Sequence, residues 1–174
     1  MHLTTPRLTI RPMHPDDAAA VAAYMTDGVA MEYFHGSAMP FDEVVALAAA
    51  NSDPATATAF VLVPHGQTAP IGHLNFHRWH QPRTYEIGWA VHPAAQGQGY
   101  ATEGAAAVRD YAFGTLGAHR LIATAQPENP ASWRVMEKLG MRREAHFVRC
   151  IHRGGDHWWD EYFYALLAEE WRCD

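Results

Sequence analysis

The sequence predicts a mixed α/β (α+β) fold, a mostly antiparallel central sheet of six to seven strands with about four helices on its faces. Two observations predict it. Short β-rich segments are separated by tight turns, and three of them follow one another with no helix between, as in an antiparallel meander. Longer segments with apolar residues at steps of three and four interrupt this series, and they are typical of amphipathic helices.

Length, composition and charge are those of a single globular domain. The chain has 174 residues, of which 48% are hydrophobic and 18% charged, and its net charge is −6. We therefore expect one domain over residues 1–174 and no nucleic-acid partner, because no basic field is present. No apolar run reaches the roughly 20 residues of a membrane helix, the N-terminus lacks a signal-peptide apolar region, and two cysteines form no disulfide framework. These features predict a cytoplasmic protein without a membrane partner.

The first elements are read from alternation and capping. "RLTIRPM" places Leu8 and Ile10 on one face and predicts a strand. "HPDDAAAVAAYM" predicts a helix, with Pro15 at its first position and two aspartates near its positive end. "FDEVVALAAANS" has helical spacing and predicts a second helix after a looser stretch.

The central elements are three strands and a longer helix. "TATAFVLVP", "IGHLNFHRW" and "TYEIGWAVHP" are joined by the short turns "GQTAP" and "HQPR", which predicts antiparallel neighbours. The helix that follows has an apolar stripe made of Ala101, Ala105, Val108, Ala112 and Leu116. "RLIATAQ" predicts the next strand and "NPASWRVMEKLG" a helix that ends at Gly140. The last two strands are joined through "RGGD".

The segment "QGQGYAT", residues 96–102, places Gly97 and Gly99 between a strand and a helix. Spacing alone favours an unusual backbone angle as the reason for the two glycines. The position at a helix entrance favours an anion site instead, because the first N–H groups of a helix have no internal partner. A phosphate or pyrophosphate fits best. The segment is neither an ATP P-loop nor a dinucleotide motif, since it lacks Gly-Lys-Ser/Thr and position 102 is Thr.

These residues carry a resemblance to a known family. "QGQGYATEG" resembles the acyl-CoA pyrophosphate loop of GNAT-type N-acetyltransferases, whose signature Gln/Arg-x-x-Gly-x-Gly/Ala is met by Gln96, Gly99 and Ala101. "TPRLTIRPMHPDDA", "YATE", "ENPASWRVMEKLGM" and "GDHWWDEYFYALL" are similar to segments of the branch that includes ribosomal-protein N-terminal acetyltransferases (Rim-like). The resemblance covers nearly the whole chain in the same order.

The resemblance implies direct transfer of an acetyl group from acetyl-CoA to a primary amine of a protein N-terminus or a small molecule, with no metal. It implies a coenzyme slot between two splayed strands, "EIGWAV" and "RLIATAQ". The implied coenzyme-binding residues are Ala90, Val91, Gln96, Gly97, Gln98, Gly99, Tyr100, Ala101, Thr102, Asn129 and Ser132. For Asn129, a helix N-cap ahead of Pro130 is the alternative interpretation, and one residue can serve both roles.

Proton handling is assigned to two residues. Glu86 is the predicted base, because it shares a strand face with the small residues Gly88 and Ala90; a surface carboxylate or an arginine partner is the alternative. Ser132 matches the residue that some members use to protonate the thiolate, and an ordinary first-turn serine is the alternative.

The chain departs from the family pattern at two positions. The tyrosine that many members use as the acid is replaced by Met136. Ile151 stands near the place where some members of the branch have a glutamate. Loss of the tyrosine favours a non-catalytic CoA-binding regulatory protein as the alternative function, whereas the retained Glu86, Asn129 and Ser132 argue against it.

The acceptor site is the least defined. Tyr33, His35 and Asp160 are predicted acceptor-binding residues by analogy with the family, with Asp160 alternatively holding a turn. Four histidines are spaced so that a metal site can be imagined: His77, His80, His152 and His157. The sequence offers no cysteine partner and no helical His-Glu-x-x-His pattern to complete such a site. We therefore predict no metal. The two closing strands make a homodimer a further expectation.

Overall fold

A computed structural model describes residues 1–33 and 38–171. Its strands are β1 Leu3–Thr4, β2 Leu8–Pro12, β3 Ala59–Pro64, β4 Gly72–Arg78, β5 Thr84–Val91, β6 Arg120–Ala125, β7 Arg142–His152 and β8 Trp158–Leu167. Its α-helices are α1 Ala18–Met25, α2 Phe41–Ala50, α3 Tyr100–Gly114 and α4 Pro130–Lys138. Short 3-10 turns cover Pro15–Asp17 and Pro93–Ala95.

The predicted fold class is confirmed, with a correction to the strand count. The sheet is mixed and mostly antiparallel, and the described residues contain eight strands rather than six or seven. The additional strand is β1, which pairs Leu3 with Ile10 and Thr4 with Thr9. Two residues are too few to show alternation, so no sequence pattern indicated this strand.

The chain forms two compact units. The first contains Met1–Phe76 and Trp89–Val108, and the second contains His77–Gly88 and the residues from Arg109 onward. In the first unit, β1, β2, β3 and β4 follow one another as antiparallel neighbours. The predicted antiparallel pairing of the β3 and β4 segments is thereby confirmed.

Helices cover both faces of β3, which is buried along its whole length. Ala59, Val61 and Val63 belong to the apolar cluster that contains the buried residues of α1 and α2. On the other face, a Cβ added at Gly104 of α3 would lie 2.8 Å from Leu62 Cδ2. A glycine at this position therefore lets α3 approach β3 closely.

The second unit is ordered β5, β6, β8 and β7. The β5–β6 pair is parallel and runs from Thr84–Arg120 to Glu86–Ile122, whereas β6 pairs with β8 over its full length. Both β5 and β6 continue beyond Glu86 and Ile122, so the two strands part after this point. Parallel neighbours need a long crossover, and the segment that contains α3 provides it.

The predicted end of α4 is confirmed. Gly140 has a φ of 82°, and Met141 N–H donates to Met136 O at 3.0 Å, which is a Schellman-type cap. Within the described residues, no helix has both the length and the apolar character needed to cross a membrane.

Candidate functional site

The glycine loop follows β5 in the first unit and opens α3. Gly97 and Gly99 have φ values of 74° and 82°, in the left-handed region that other residues adopt at a cost. The unusual backbone angle and the anion site are therefore not exclusive, because the same conformation turns the chain into the helix. Gln98 and both glycines are exposed.

Two side chains of the loop bond to the backbone of the segment that precedes it. Gln96 Nε2 donates to Val91 O at 3.0 Å, and Gln98 Nε2 donates to Ala94 O at 3.3 Å. At the loop entrance, His92 Nδ1 accepts a hydrogen bond from Ala94 N–H at 3.1 Å. These contacts hold the loop shape and leave recognition to the backbone.

The first hydrogen bond of the helix runs from Glu103 N–H to Gly99 O at 3.0 Å. The N–H groups of Tyr100, Ala101 and Thr102 therefore precede the helical ladder in the described structure. A Cβ added at Gly97 would meet no heavy atom of residues 1–33 and 38–171 within 4 Å, so the space beside this residue is open in the described structure. Open space, N–H groups outside the helical ladder and the positive helix end together fit a pyrophosphate.

Ala90 and Val91 lie at the end of β5 and are half-buried. The neighbouring strand approaches them closely, since a Cβ added at Gly72 would lie 2.5 Å from Ala90 O. A glycine is required there, and the predicted contact of Ala90 and Val91 with a pantetheine arm remains a prediction.

In the second unit, Glu86 lies on β5 at the point where β5 and β6 part. Its side chain is 31% exposed, and Glu86 Oε2 lies 4.0 Å from His77 Nε2. No arginine is paired with this carboxylate among the described ion pairs, so the arginine-partner alternative has no support there.

A second carboxylate, Glu161 of β8, lies near Glu86. Burial raises the pKa of Glu161, the charge of Glu86 raises it further, and a hydrogen bond from the Thr124 hydroxyl opposes the two effects. The strand register places Glu86 beside Ile122 and Thr124 beside Phe163, which puts these residues on one face. Sequence reasoning missed Glu161 and Thr124, because their approach to Glu86 depends on strand order.

Aromatic rings lie close to this face. The ring centroids of Trp79 and Phe163 are 6.0 Å apart, and those of Phe147 and Phe163 are 6.2 Å apart. Carboxylates beside aromatic rings suit a cationic group with an apolar stem.

Asn129 is the N-cap of α4. Its Oδ1 accepts a hydrogen bond from Ser132 N–H at 3.2 Å, so the N-cap interpretation is confirmed. Ser132 is half-buried in the first turn. Met136, which replaces the tyrosine of many relatives, is 1% exposed, and its thioether side chain cannot act as a general acid.

The predicted acceptor residues are dispersed. Tyr33 follows α1 in a turn and is half-buried, and His35 lies outside the described residues. Asp160 Oδ2 is 2.7 Å from His146 Nε2, and Asp160 Oδ1 accepts from Arg149 N–H at 2.8 Å. The Arg149 N–H bond, followed by the His146 bond, lowers the pKa of Asp160.

Arg149 has a φ of 50° and lies where the β7–β8 register shifts between Phe147 and Ile151. Asp160 therefore holds a bulge in β7 and not the turn named as its alternative role, and its acceptor role stays a prediction. Across residues 1–33 and 38–171, no group of three metal-ligating side chains is arranged around a common point.

Comparison with known proteins identifies the family. The sequence profile of the Acetyltransferase (GNAT) domain matches residues 7–142, which is most of the chain. The chain therefore belongs to the GNAT acetyltransferase family.

Individual relatives agree with this assignment. The chain is 43% identical over 171 residues to the uncharacterized N-acetyltransferase YnaD of Bacillus subtilis (strain 168), covering 98% of this chain and 99% of that protein. It is similar to the crystal structure of a GNAT-family acetyltransferase from Bacillus anthracis, with 40% identity, a TM-score of 0.90 and coverage of 98% and 100%.

A more distant likeness is to the spermidine N-acetyltransferase of Vibrio cholerae, solved in complex with CoA and spermine. Its identity is 23%, its TM-score 0.80, and the match covers 94% of this chain and 96% of that chain. At this identity the likeness concerns the fold alone.

Proposed function

We propose that the protein is an acetyl-CoA-dependent N-acetyltransferase of the Rim-like branch, acting as a single domain over residues 1–174. The observation that carries the proposal is the loop at residues 96–102, where two glycines in the left-handed region precede α3 and the N–H groups of residues 100–102 lie before the helical ladder. Membership of the GNAT acetyltransferase family supports the same activity.

Acetyl-CoA supplies an activated acetyl thioester. Residues 97–102 bind its pyrophosphate through backbone N–H groups, so the side chains of Gln98, Tyr100 and Thr102 contribute little to the charge of this subsite. The Val91 N–H and the Asn129 amide bind the pantetheine arm and the thioester carbonyl, as the family resemblance implies.

Proton handling falls to Glu86 and Ser132. An attacking amine must be neutral, and Glu86 accepts its proton directly or through water. Ser132 donates a proton to the departing thiolate. Its backbone N–H is used by the Asn129 cap, which leaves the hydroxyl for this second role.

The acceptor is a primary amine, either of a small molecule or of a protein N-terminus. Support for a cationic acceptor comes from Glu86 and Glu161 on one face of the second unit, with Trp79 and Phe163 nearby. The distant spermidine N-acetyltransferase is consistent with polyamines as test acceptors.

One observation favours a second candidate, a CoA-binding regulatory protein without turnover. Met136 is buried at the position where many relatives have the tyrosine acid. Under this alternative the protein binds CoA and acetyl-CoA but transfers no acetyl group.

We also propose a cytoplasmic homodimer. Strand β7 is exposed along almost its whole length, and Phe147, Val148 and Trp158 are 45%, 67% and 47% exposed. Apolar side chains on an edge ribbon favour a partner surface. Light scattering after size exclusion should give twice the monomer mass of 19.4 kDa, and a monomer at all concentrations would remove this part of the proposal.

The activity is tested by thiol release. The purified protein is incubated with acetyl-CoA and a panel of diamines, polyamines, aminoglycosides and N-terminal peptides, and free CoA is followed with a thiol reagent. An acetyltransferase releases thiol above the acceptor-free blank with at least one amine, and mass spectrometry finds that amine acetylated. CoA binding with no release for any acceptor supports the regulatory alternative, and absence of CoA binding contradicts both.

A further inference from the structure

The N-terminal segment of the first unit contacts the glycine loop through one arginine. Arg7 Nη1 donates to Gln98 O at 3.0 Å, and Arg7 Cζ lies 4.5 Å from the centroid of the Tyr100 ring. The third nitrogen of the group, Nη2, would be 3.5 Å from a Cβ added at Gly99. A single guanidinium therefore spans three consecutive residues of the loop.

The same arginine is held by Glu103, in the first turn of α3. Arg7 Nε donates to Glu103 Oε2 at 2.5 Å, and Arg7 N–H donates to Glu103 Oε1 at 2.9 Å. The Thr5 hydroxyl donates to Glu103 Oε1 at 2.6 Å. Although burial raises the pKa of Glu103, these hydrogen bonds from Thr5 and Arg7 lower it overall, so the carboxylate is charged at neutral pH.

We propose that Arg7 and Glu103 form a latch that positions the Gly99 N–H for the coenzyme pyrophosphate, an inference that rests on the proposed function. A peptide bond is planar and trans, so its C=O and N–H groups point in opposite directions. By holding Gln98 O, Arg7 directs the N–H of the next residue, Gly99, away from the latch. Glycines rotate freely at low cost, and a flanking restraint of this kind is what keeps such an N–H aimed.

The latch also neutralises a negative charge close to the proposed anion site. The Glu103 carboxylate, in the first turn of α3, interacts favourably with the helix dipole but repels an anion bound at the same helix end. Arg7 neutralises Glu103 while its side chain remains 46% exposed, and Glu103 is 16% exposed. Arg7 is thus a positioning residue that acts through Gln98 and Glu103.

The test uses Arg7→Met and Glu103→Met, each of which breaks the latch. Arg83→Met is the matched control, because Arg83 Nε also donates to a loop carbonyl, Gly117 O at 2.8 Å, away from the glycine loop. CoA affinity is measured by titration calorimetry, and KM and kcat are measured with acetyl-CoA and with S-acetyl-pantetheine, which lacks the pyrophosphate. Melting temperature reports on folding.

Arg7→Met should bind CoA about tenfold more weakly, the equivalent of one charge-assisted hydrogen bond. Glu103→Met should also bind CoA more weakly but by a smaller factor, because loss of the carboxylate removes its repulsion of the bound anion. KM for acetyl-CoA should rise by a similar factor, while kcat and the kinetics with S-acetyl-pantetheine stay unchanged. Arg83→Met should bind CoA like the unmodified protein. If Arg7 and Glu103 had a purely structural role, the kinetics with acetyl-CoA and with S-acetyl-pantetheine would be impaired equally.

Three results overturn the latch. The first is unchanged CoA affinity in Arg7→Met. The second is weaker binding in Arg7→Met with normal binding in Glu103→Met, which would make Arg7 a direct ligand of the phosphate. If Glu103→Met does not fold, Arg7→Lys takes its place, because one ammonium cannot hold Glu103 and Gln98 together and binding should weaken in the same way. The third is absence of CoA binding by the unmodified protein, which also removes the proposed function. Measuring the unmodified protein first therefore separates failure of the proposed function from failure of the latch alone.

Discussion

Asn129 accepts a hydrogen bond from the Ser132 N–H through its side-chain oxygen, at 3.2 Å. This bond caps α4, and it uses only the oxygen of the amide. The amide nitrogen is left to donate, which is the group that a pantetheine carbonyl needs. A structural role and a coenzyme-binding role are therefore compatible in one side chain, and they are separable by substitution.

Asn129→Asp should keep the cap and lose the donor. We expect its melting temperature to stay within a few degrees of the unmodified protein, while KM for acetyl-CoA rises about tenfold. Asn129→Ala should lose both functions and cost about 1 kcal/mol of unfolding free energy. Thermal melts and steady-state kinetics check the pair, and normal acetyl-CoA kinetics in Asn129→Asp would contradict the coenzyme role.

Gly97→Ala tests the loop against a matched glycine. Gly97 and Gly66 have φ values of 74° and 79°, and no described residue comes within 4 Å of a Cβ added at either position. Both substitutions should therefore cost about 1–2 kcal/mol of backbone strain. Only Gly97→Ala should also weaken CoA binding measured by calorimetry, since Gly66 lies in the β3–β4 turn. Equal CoA affinity in the two variants would contradict the pyrophosphate assignment.

Glu86→Gln tests the predicted base. The amide keeps the shape of the side chain but accepts no proton, so kcat should fall about 10²-fold with little change in KM for acetyl-CoA. Glu169→Gln is the control, because Glu169 is exposed in the turn after β8. The thiol-release assay with the best acceptor checks both variants. A kcat above half of the unmodified value would exclude Glu86 as an essential base.

Glu161→Gln tests the second carboxylate through stability. Because the folded pKa of Glu161 is raised, the carboxyl favours the folded state below its unfolded pKa, and this contribution is lost as pH rises through the folded pKa. The glutamine variant should therefore be more stable than the unmodified protein at pH 7, with the difference shrinking towards pH 4. Urea unfolding at both pH values checks this, and a difference independent of pH would contradict it.

Asp17→Asn tests the ion pair at the start of α1. Burial raises the pKa of Asp17, but the bidentate hydrogen bonds from Arg11, at 2.7 and 2.8 Å, and the His14 N–H lower it overall. The stability that depends on this depressed pKa is present above the unfolded value of 3.8 and is lost as pH falls through the folded value.

The Asp17→Asn variant should therefore lose about 2 kcal/mol of unfolding free energy at pH 7, because it leaves the half-buried Arg11 without its charged partner. The loss should be smaller at pH 3, because below the unfolded pKa of Asp17 the ion pair already contributes less to the stability of the unmodified protein. Asp16→Asn is the control, since the Asp16 side chain is 91% exposed. Denaturant melts at the two pH values check the pair. An equal loss at both would mean that packing, not charge, explains the cost.

Local patterns in the sequence predict much of the fold. Alternation in β2, the β-rich run of β3, the proline and aspartates at Pro15–Asp17, and Gly140 after α4 are properties of short segments, and sequence reasoning placed each of them correctly. The exception among the strands, β1, exists only because β2 offers a free edge to Leu3 and Thr4. The sequence of a two-residue segment does not predict which strand it will pair with.

The candidate site divides in the same way. The sequence by itself determined the glycine loop, because Gly97, Gly99 and the helix that they open are contiguous and their backbone requirement is local. Only the tertiary structure decided that Glu161 lies near Glu86, that Asp160 holds a bulge, and that Arg7 reaches a loop about 90 residues further along the chain. Such contacts depend on strand order and register, which bring together residues that no spacing in the sequence relates.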